Sequence, residues 1–129
     1  MNRAEKAIEN HKKGYNCAQA VICAFADRTE FTEDQLFKLS EAFGGGMGGT
    51  QGVCGAVSAM VMLAGLEKSF GTDEIPKTNK VESYAFGRKL MEEFEKRNQT
   101  VVCARLKGEG IRSCDGCIED AVKILEENI

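Results

Sequence analysis

Apolar residues recur at helical spacing along almost the whole chain. In residues 2–13, Ala4, Ala7 and Ile8 share one side of an otherwise polar segment. Gly14 interrupts it, and Asn16 is a cap for a second helix, predicted from Cys17 to about Asp27 with Ala20, Val21 and Ala24 on its stripe. Thr32 caps a third segment, with Glu33 and Asp34 in its first turn and Leu36, Phe37 and Leu39 as apolar anchors. The glycine tract from Phe43 to Gly49 stops it. Val53 to about Leu66 is apolar on most faces, which predicts a central buried helix. Pro76 suits the first turn of a long helix reaching about Arg97, with Val81, Tyr84, Ala85, Leu90, Met91 and Phe94 at helical spacing. A short segment, Thr100 to Leu106, is closed by Gly108 and Gly110. Cys114 to Glu127 ends the chain with Ile118, Val122, Ile124 and Leu125 apolar. No stretch alternates with period two for long enough to form a strand. The expected fold is all-α: one cysteine-rich helical domain over residues 1–129, a bundle of about five to six helices around residues 53–66.

Composition narrows the functional classes. A net charge of −3 argues against nucleic-acid or polybasic membrane binding, which need a clustered positive face. The longest apolar run, Val53 to Leu66, is short for a membrane span and contains Gly55, Ser58 and Gly65. The N-terminal residues carry no apolar stretch of signal-peptide type, so a cytoplasmic location is expected. Six cysteines are many for such a chain. In a reducing compartment structural disulfides are rare, and metal binding or transient redox chemistry becomes the better explanation.

The placement of the cysteines sharpens this. Cys17, Cys54, Cys103 and Cys114 each fall where a helix is predicted to begin. Free N–H groups and the peptide dipoles at a helix N-terminus favour a thiolate over a thiol. Cys54 is the strongest candidate, because Gly52 and Gly55 beside it let backbone or ligand approach the sulfur. Cys114-Asp115-Gly116-Cys117 is a Cys-x-x-Cys pair that could close a reversible disulfide or supply two metal ligands. No strand precedes it, so the thioredoxin context is missing, and no second close pair completes a zinc knuckle. Cys17 and Cys23 lie six residues apart, roughly 120° away from sharing a helical face. Cys17 is therefore assigned to the site and Cys23 to the core. Gly44-x-Gly46-x-x-Gly49 matches the dinucleotide fingerprint only in letters, since no strand leads into it, and it reads as a chain reversal. His11, the only histidine, lies beside Lys12 and Lys13 and reads as a solvated surface group.

Taken in order, these stretches resemble a family of redox-active proteins whose name, C_GCAxxG_C_C, records its cysteine pattern. The resemblance runs through Asn16-Cys17-Ala18-Gln19-Ala20-Val21, Phe43-Gly44-Gly45-Gly46-Met47-Gly48, Cys54-Gly55-Ala56-Val57-Ser58-Ala59, Cys103, and Cys117 before Ile118 and Val122. It implies that Cys17, Cys54, Cys103 and Cys117 are the family's four cysteines, with Cys23 and Cys114 as extras. Ala59 stands where the family's central motif ends in glycine, a change that could narrow a space the family keeps open. Three functions follow. The first is redox activity by thiol–disulfide exchange or electron transfer at Cys17, Cys54, Cys103, Cys117 and Cys114, an oxidoreductase if the chain is an enzyme. The second is a metal site on Cys17, Cys54, Cys103 and Cys117, holding an iron–sulfur cluster or zinc as carrier or sensor. The third is a helical interaction module with packed cysteines. The expected partner is a redox protein or a small thiol, with a homodimer left open.

Overall fold

Three reciprocal caps set the first helices. Asn2, Asn16 and Thr32 accept the backbone N–H three residues on at 2.8, 2.9 and 3.1 Å, while Glu5, Gln19 and Gln35 reach back to the cap N–H. Each such cap contributes about 1 kcal/mol. In the computed structural model, which describes residues 1–129, they start α1 (Arg3–Lys12), α2 (Cys17–Cys23) and α3 (Glu33–Ser40). The chain continues through α4 (Gly55–Lys68), α5 (Lys80–Asn98), α6 (Cys103–Gly108) and α7 (Cys114–Asn128). Short 3-10 turns cover Ala26–Arg28 and Glu41–Phe43, and the only β pairing is an isolated antiparallel bridge between Val53 and Val102. The fold is all-helical. It has seven α-helices, the segment expected between Thr100 and Leu106 standing as a short helix of its own, α6.

α4 occupies the centre, in contact with α2, α5 and α7. Ala56, Val57, Ala59, Met60, Leu63 and Ala64 are buried along it, against Val21 and Ile22 of α2, Leu90 and Phe94 of α5, and Ile118, Val122 and Leu125 of α7. Small residues on α4 and α2 let the axes approach closely. Gly55 shows the limit: a Cβ there would stand 3.0 Å from the Ala18 nitrogen and 3.2 Å from the Phe43 carbonyl oxygen. The same glycine therefore lets the first turns of α2 and α4 meet. No helix is long and apolar enough to cross a membrane.

The structure moves several boundaries. α2 ends at Cys23, not near Asp27, because Ala24 and Phe25 turn their N–H groups to residues three back and tighten the chain. Phe25 is then buried, with the Arg3 guanidinium 4.6 Å over its ring. Pro76 is not in the first turn of α5, which starts only at Lys80. Asn79 donates its side-chain amide to the Lys68 carbonyl at 2.6 Å, closing the end of α4 and holding residues 69–79 as a loop. The stripe of α5 is only partly core: Leu90 and Phe94 are fully buried, whereas Val81 is 77% and Tyr84 61% exposed. Its first turns project past the bundle. Leu39 of α3 is likewise exposed, leaving Leu36 as the fully buried anchor.

The glycine tract is a chain reversal. Gly45, Gly46, Met47, Gly48, Gly49 and Gln51 all have positive φ, and the segment folds back through Gly48 N–H to Ala42 O and Gly52 N–H to Gly46 O, both 2.7 Å. Gly46 (φ +72°) is the tightest position, where a Cβ would lie 2.8 Å from Cβ of Cys103 and 2.7 Å from the Gly52 nitrogen. Gly49 (φ +74°) has the same backbone requirement but open space. Gly49→Ala should cost about 1 to 2 kcal/mol from the left-handed conformation alone. Gly46→Ala should cost about 2 to 4 kcal/mol, because overpacking adds to the same strain. Urea unfolding measures both, and equal losses would show that the contact with Cys103 carries no weight.

Candidate functional site

The strip that joins α4 to its neighbours is a short backbone clasp. Cys54 donates its N–H to the Val101 carbonyl at 2.8 Å, Cys103 donates to Gly52 at 2.7 Å, and Ala104 donates to Gln51 at 3.1 Å. α6 has no side-chain cap at Val102, so the carbonyls of Gln51 and Gly52 satisfy its first N–H groups instead. Cys54 and Cys103 are thereby held on adjacent strips, each at the head of its helix. Asn16, the cap of α2, also donates to the Glu41 carbonyl at 2.8 Å and packs on Gly44, which brings Cys17 to the same place.

α7 supplies the remaining sulfurs. Ser113 caps it through the Gly116 N–H at 3.0 Å, putting Cys114 in the first turn and Cys117 one turn on. Arg112 lies over Gly116, where a Cβ would be 2.4 Å from Nε, and forks onto Asp120 at 3.1 Å through both Nε and a terminal nitrogen. Asp120 is buried and also accepts from Asn98 of α5 at 3.1 Å. This polar knot sets the orientation of the Cys-x-x-Cys turn.

Cys17, Cys54, Cys103, Cys114 and Cys117 all line one cleft, together with Gly45, Gly46, Gly55, Leu106 and Lys107. All are free thiols; Cys54, Cys103 and Cys117 are buried, and Cys17 and Cys114 are partly open. Cys23 lies apart, buried, with its sulfur donating to the Glu33 carbonyl at 3.6 Å. The free volume among the side chains is about 10 Å³, close to the minimum for one water molecule. Ala59 is buried in the core and does not line the cleft, so its extra methyl does not narrow it.

Helix-start placement does not act alike on these thiols. Cys54 is brought down to about 7: the Cys117 thiol donates to its sulfur, and the N–H groups of Ala56 and Val57 and the Lys107 ammonium add to the effect. Cys17 also sits at a helix start, yet burial and the neighbouring sulfurs of Cys114 and Cys54 push it up to about 12. Cys103 is raised too, by burial first. Cys117, one turn inside α7, is held protonated because it donates to Cys54 and is buried beside it. At Cys17 and Cys103 burial and the neighbouring sulfurs prevail over the helix-start placement, and at Cys54 they do not.

Two participants were not expected. Lys107 donates its ammonium to the Cys114 sulfur and is raised by that contact, with Cys17 and Cys103 adding to it. Its signal lies in the spacing, since it follows Cys103 by four residues and shares its helical face. His11 is not a solvated surface group. It is partly buried at the end of α1, with Nδ1 2.7 Å from Oδ1 of Asp115 and a ring nitrogen within 4.8 Å of the Cys17 and Cys114 sulfurs. Only the packing of α1 on α7 makes this neighbourhood, so no local pattern could have marked it. His11, Cys17 and Cys114 form a group able to hold a metal ion.

An all-helical chain with five thiols and one ammonium around a single cleft is a sulfur site, suited to electron-pair exchange or to a thiophilic metal. The chain belongs to the family described as "Putative redox-active protein (C_GCAxxG_C_C)", whose model matches residues 15–128. No curated protein and no solved structure matches it significantly.

The thiol environments make stability depend on pH. A thiol raised in the fold favours the folded state fully below its ordinary value of 9.0. That advantage is lost as pH rises through the folded value, about 11 for Cys23 and about 12 for Cys17. Cys54 has the opposite sign: its contribution is complete above 9.0 and is lost as pH falls through about 7. Under reductant, the urea midpoint should rise from pH 7 to 9 and fall beyond it, and Cys54→Ala should remove the rise. A wild-type midpoint that stays flat from pH 7 to 9 would contradict this.

Proposed function

We propose that the protein is a thiol–disulfide exchange protein in which Cys54 attacks and Cys117 resolves. The observation that carries the reading is that Cys54 and Cys117 line one cleft at the head of α4, with Cys54 held down near neutrality and Cys117 held protonated beside it. An attacking thiol is most effective when its pKa lies near ambient pH. The Cys54 thiolate attacks one sulfur of a substrate disulfide, forming a mixed disulfide and releasing the other half as a thiolate. Cys117 then loses its proton to solvent or to the released thiolate and attacks the Cys54 sulfur. The products are a Cys54–Cys117 disulfide and the second substrate thiol. Two electrons pass from the protein to the substrate, and a protein or small dithiol returns them. Lys107 favours the thiolate throughout, and the clasp keeps Cys54 at the mouth of its helix.

The test uses a small aromatic disulfide and the reduced protein. Alkylation of Cys54 should titrate near pH 7, with the midpoint moving upward in Cys117→Ala. Cys117→Ala should also accumulate a mixed disulfide at Cys54, and peptide mapping of the oxidised wild type should recover Cys54 linked to Cys117. Cys54→Ser should fall to background. A mixed disulfide that forms on Cys114 with Cys54 replaced would assign the work to the local Cys114–Cys117 pair and sink this reading.

A second reading is favoured by the convergence of Cys17, Cys54, Cys103 and Cys117 on one cleft, a four-thiolate set of the kind that holds zinc or iron–sulfur clusters. The free volume of about 10 Å³ suits a single ion better than a cluster, which would require the lining to part. Metal analysis and a visible spectrum of anaerobically purified protein separate the two. Stoichiometric iron with visible absorption would replace the exchange reading.

A further inference from the structure

We infer that His11, Cys17 and Cys114 form a binding site for one borderline or soft divalent cation of the zinc class, at the edge of the cleft and separate from the Cys54–Cys117 pair. The proposal goes beyond the exchange reading and shares no reacting atom with it. Three elements distant in sequence contribute: the last turn of α1, the first residue of α2 and the first residue of α7. Their three donor atoms lie within 4.8 Å of one another. Bond lengths of about 2.3 Å to sulfur and about 2.0 Å to nitrogen put the donors of a tetrahedral ion about 3.5 to 3.8 Å apart. The donors are thus at most about an ångström farther apart than in a filled site.

The surroundings have the features of a metal site. Asp115 holds His11 Nδ1 at 2.7 Å, which fixes the ring. A carboxylate bonded to a histidine ring is the usual outer support of a zinc ligand. Lys107 donates to the Cys114 sulfur and offsets the charge of one thiolate. Two thiolates and one imidazole match zinc-class ions rather than calcium or magnesium, which prefer oxygen donors. Three protein ligands leave a fourth position for water or an incoming donor. His11 and Cys114 are partly open to solvent, so an ion can reach the group without unfolding.

Cobalt(II) alone, added to the reduced, metal-free full-length protein, tests the site by spectrum rather than by turnover. The expected result is one cobalt per chain, with a sulfur-to-cobalt charge-transfer band and the visible bands of four-coordinate cobalt, both lost on adding zinc. His11→Gln and Cys114→Ser should each weaken binding at least tenfold, and Asp115→Asn about 10- to 100-fold. Cys54→Ser should still bind one cobalt with the same bands. Circular dichroism confirms that each variant is folded, and Cys114→Ala serves as a second probe of that ligand. The proposal is overturned if His11→Gln and Cys114→Ser bind as the wild type does. It is equally overturned if binding disappears with Cys54→Ser, or if no thiolate charge-transfer band appears. Disulfide capture by Cys54 uses neither His11 nor Cys114, so its failure would leave this result unaffected.

Discussion

The backbone clasp between residues 51–54 and 101–104 is the constraint on which the site depends. Three N–H groups that would be unpaired at the heads of α4 and α6 find carbonyl partners across the clasp, at 2.7 to 3.1 Å. Buried backbone donors without partners are costly, so this pairing holds two helix heads, and two cysteines, side by side. The glycine tract lies against it: Gly52 donates to Gly46, and Gly46 touches Cys103 where no side chain would fit. Gly44 against Asn16 and Gly55 against Ala18 bring α2 to the same point. The glycines around the cysteines are therefore contact positions between chain segments.

Once the sulfurs are gathered, their number becomes a problem in electrostatics. Five thiols cannot all ionise in one partly dry cleft, because each thiolate raises the cost of the next. One lysine and a few helix N–H groups supply the compensation: Lys107 binds the Cys114 sulfur, while the Ala56 and Val57 N–H groups act on Cys54. Cys117 completes the asymmetry by donating its proton toward Cys54 without transferring it.

Much of this was legible in local patterns. Asn16 and Thr32 carry the cap chemistry that starts α2 and α3, and the apolar run after Val53 is the central helix. The six-residue spacing separates Cys17 from Cys23 by simple helical geometry, and Cys23 lies in the core with its sulfur turned to Glu33. Other features were misread for physical reasons. Pro76 resembles a helix start, but Asn79 is engaged by the end of α4. Val81 and Tyr84 have helical spacing, yet both stay exposed in the first turns of α5. His11 looks like a surface residue in its polar run, and only α7 gives it Asp115, Cys17 and Cys114 as neighbours.

By itself the chain determined where helices begin, which faces are apolar and which cysteines stand near helix heads, since these follow from residues within a turn or two. Tertiary structure decided which sulfur ionises, which stays protonated, and where a lysine and a histidine join them. Those outcomes depend on burial and on charges a few ångströms away through space, between segments up to about a hundred residues apart in the chain. A helix head can favour a thiolate, but only the packed cleft determines whether the dipole or the burial prevails.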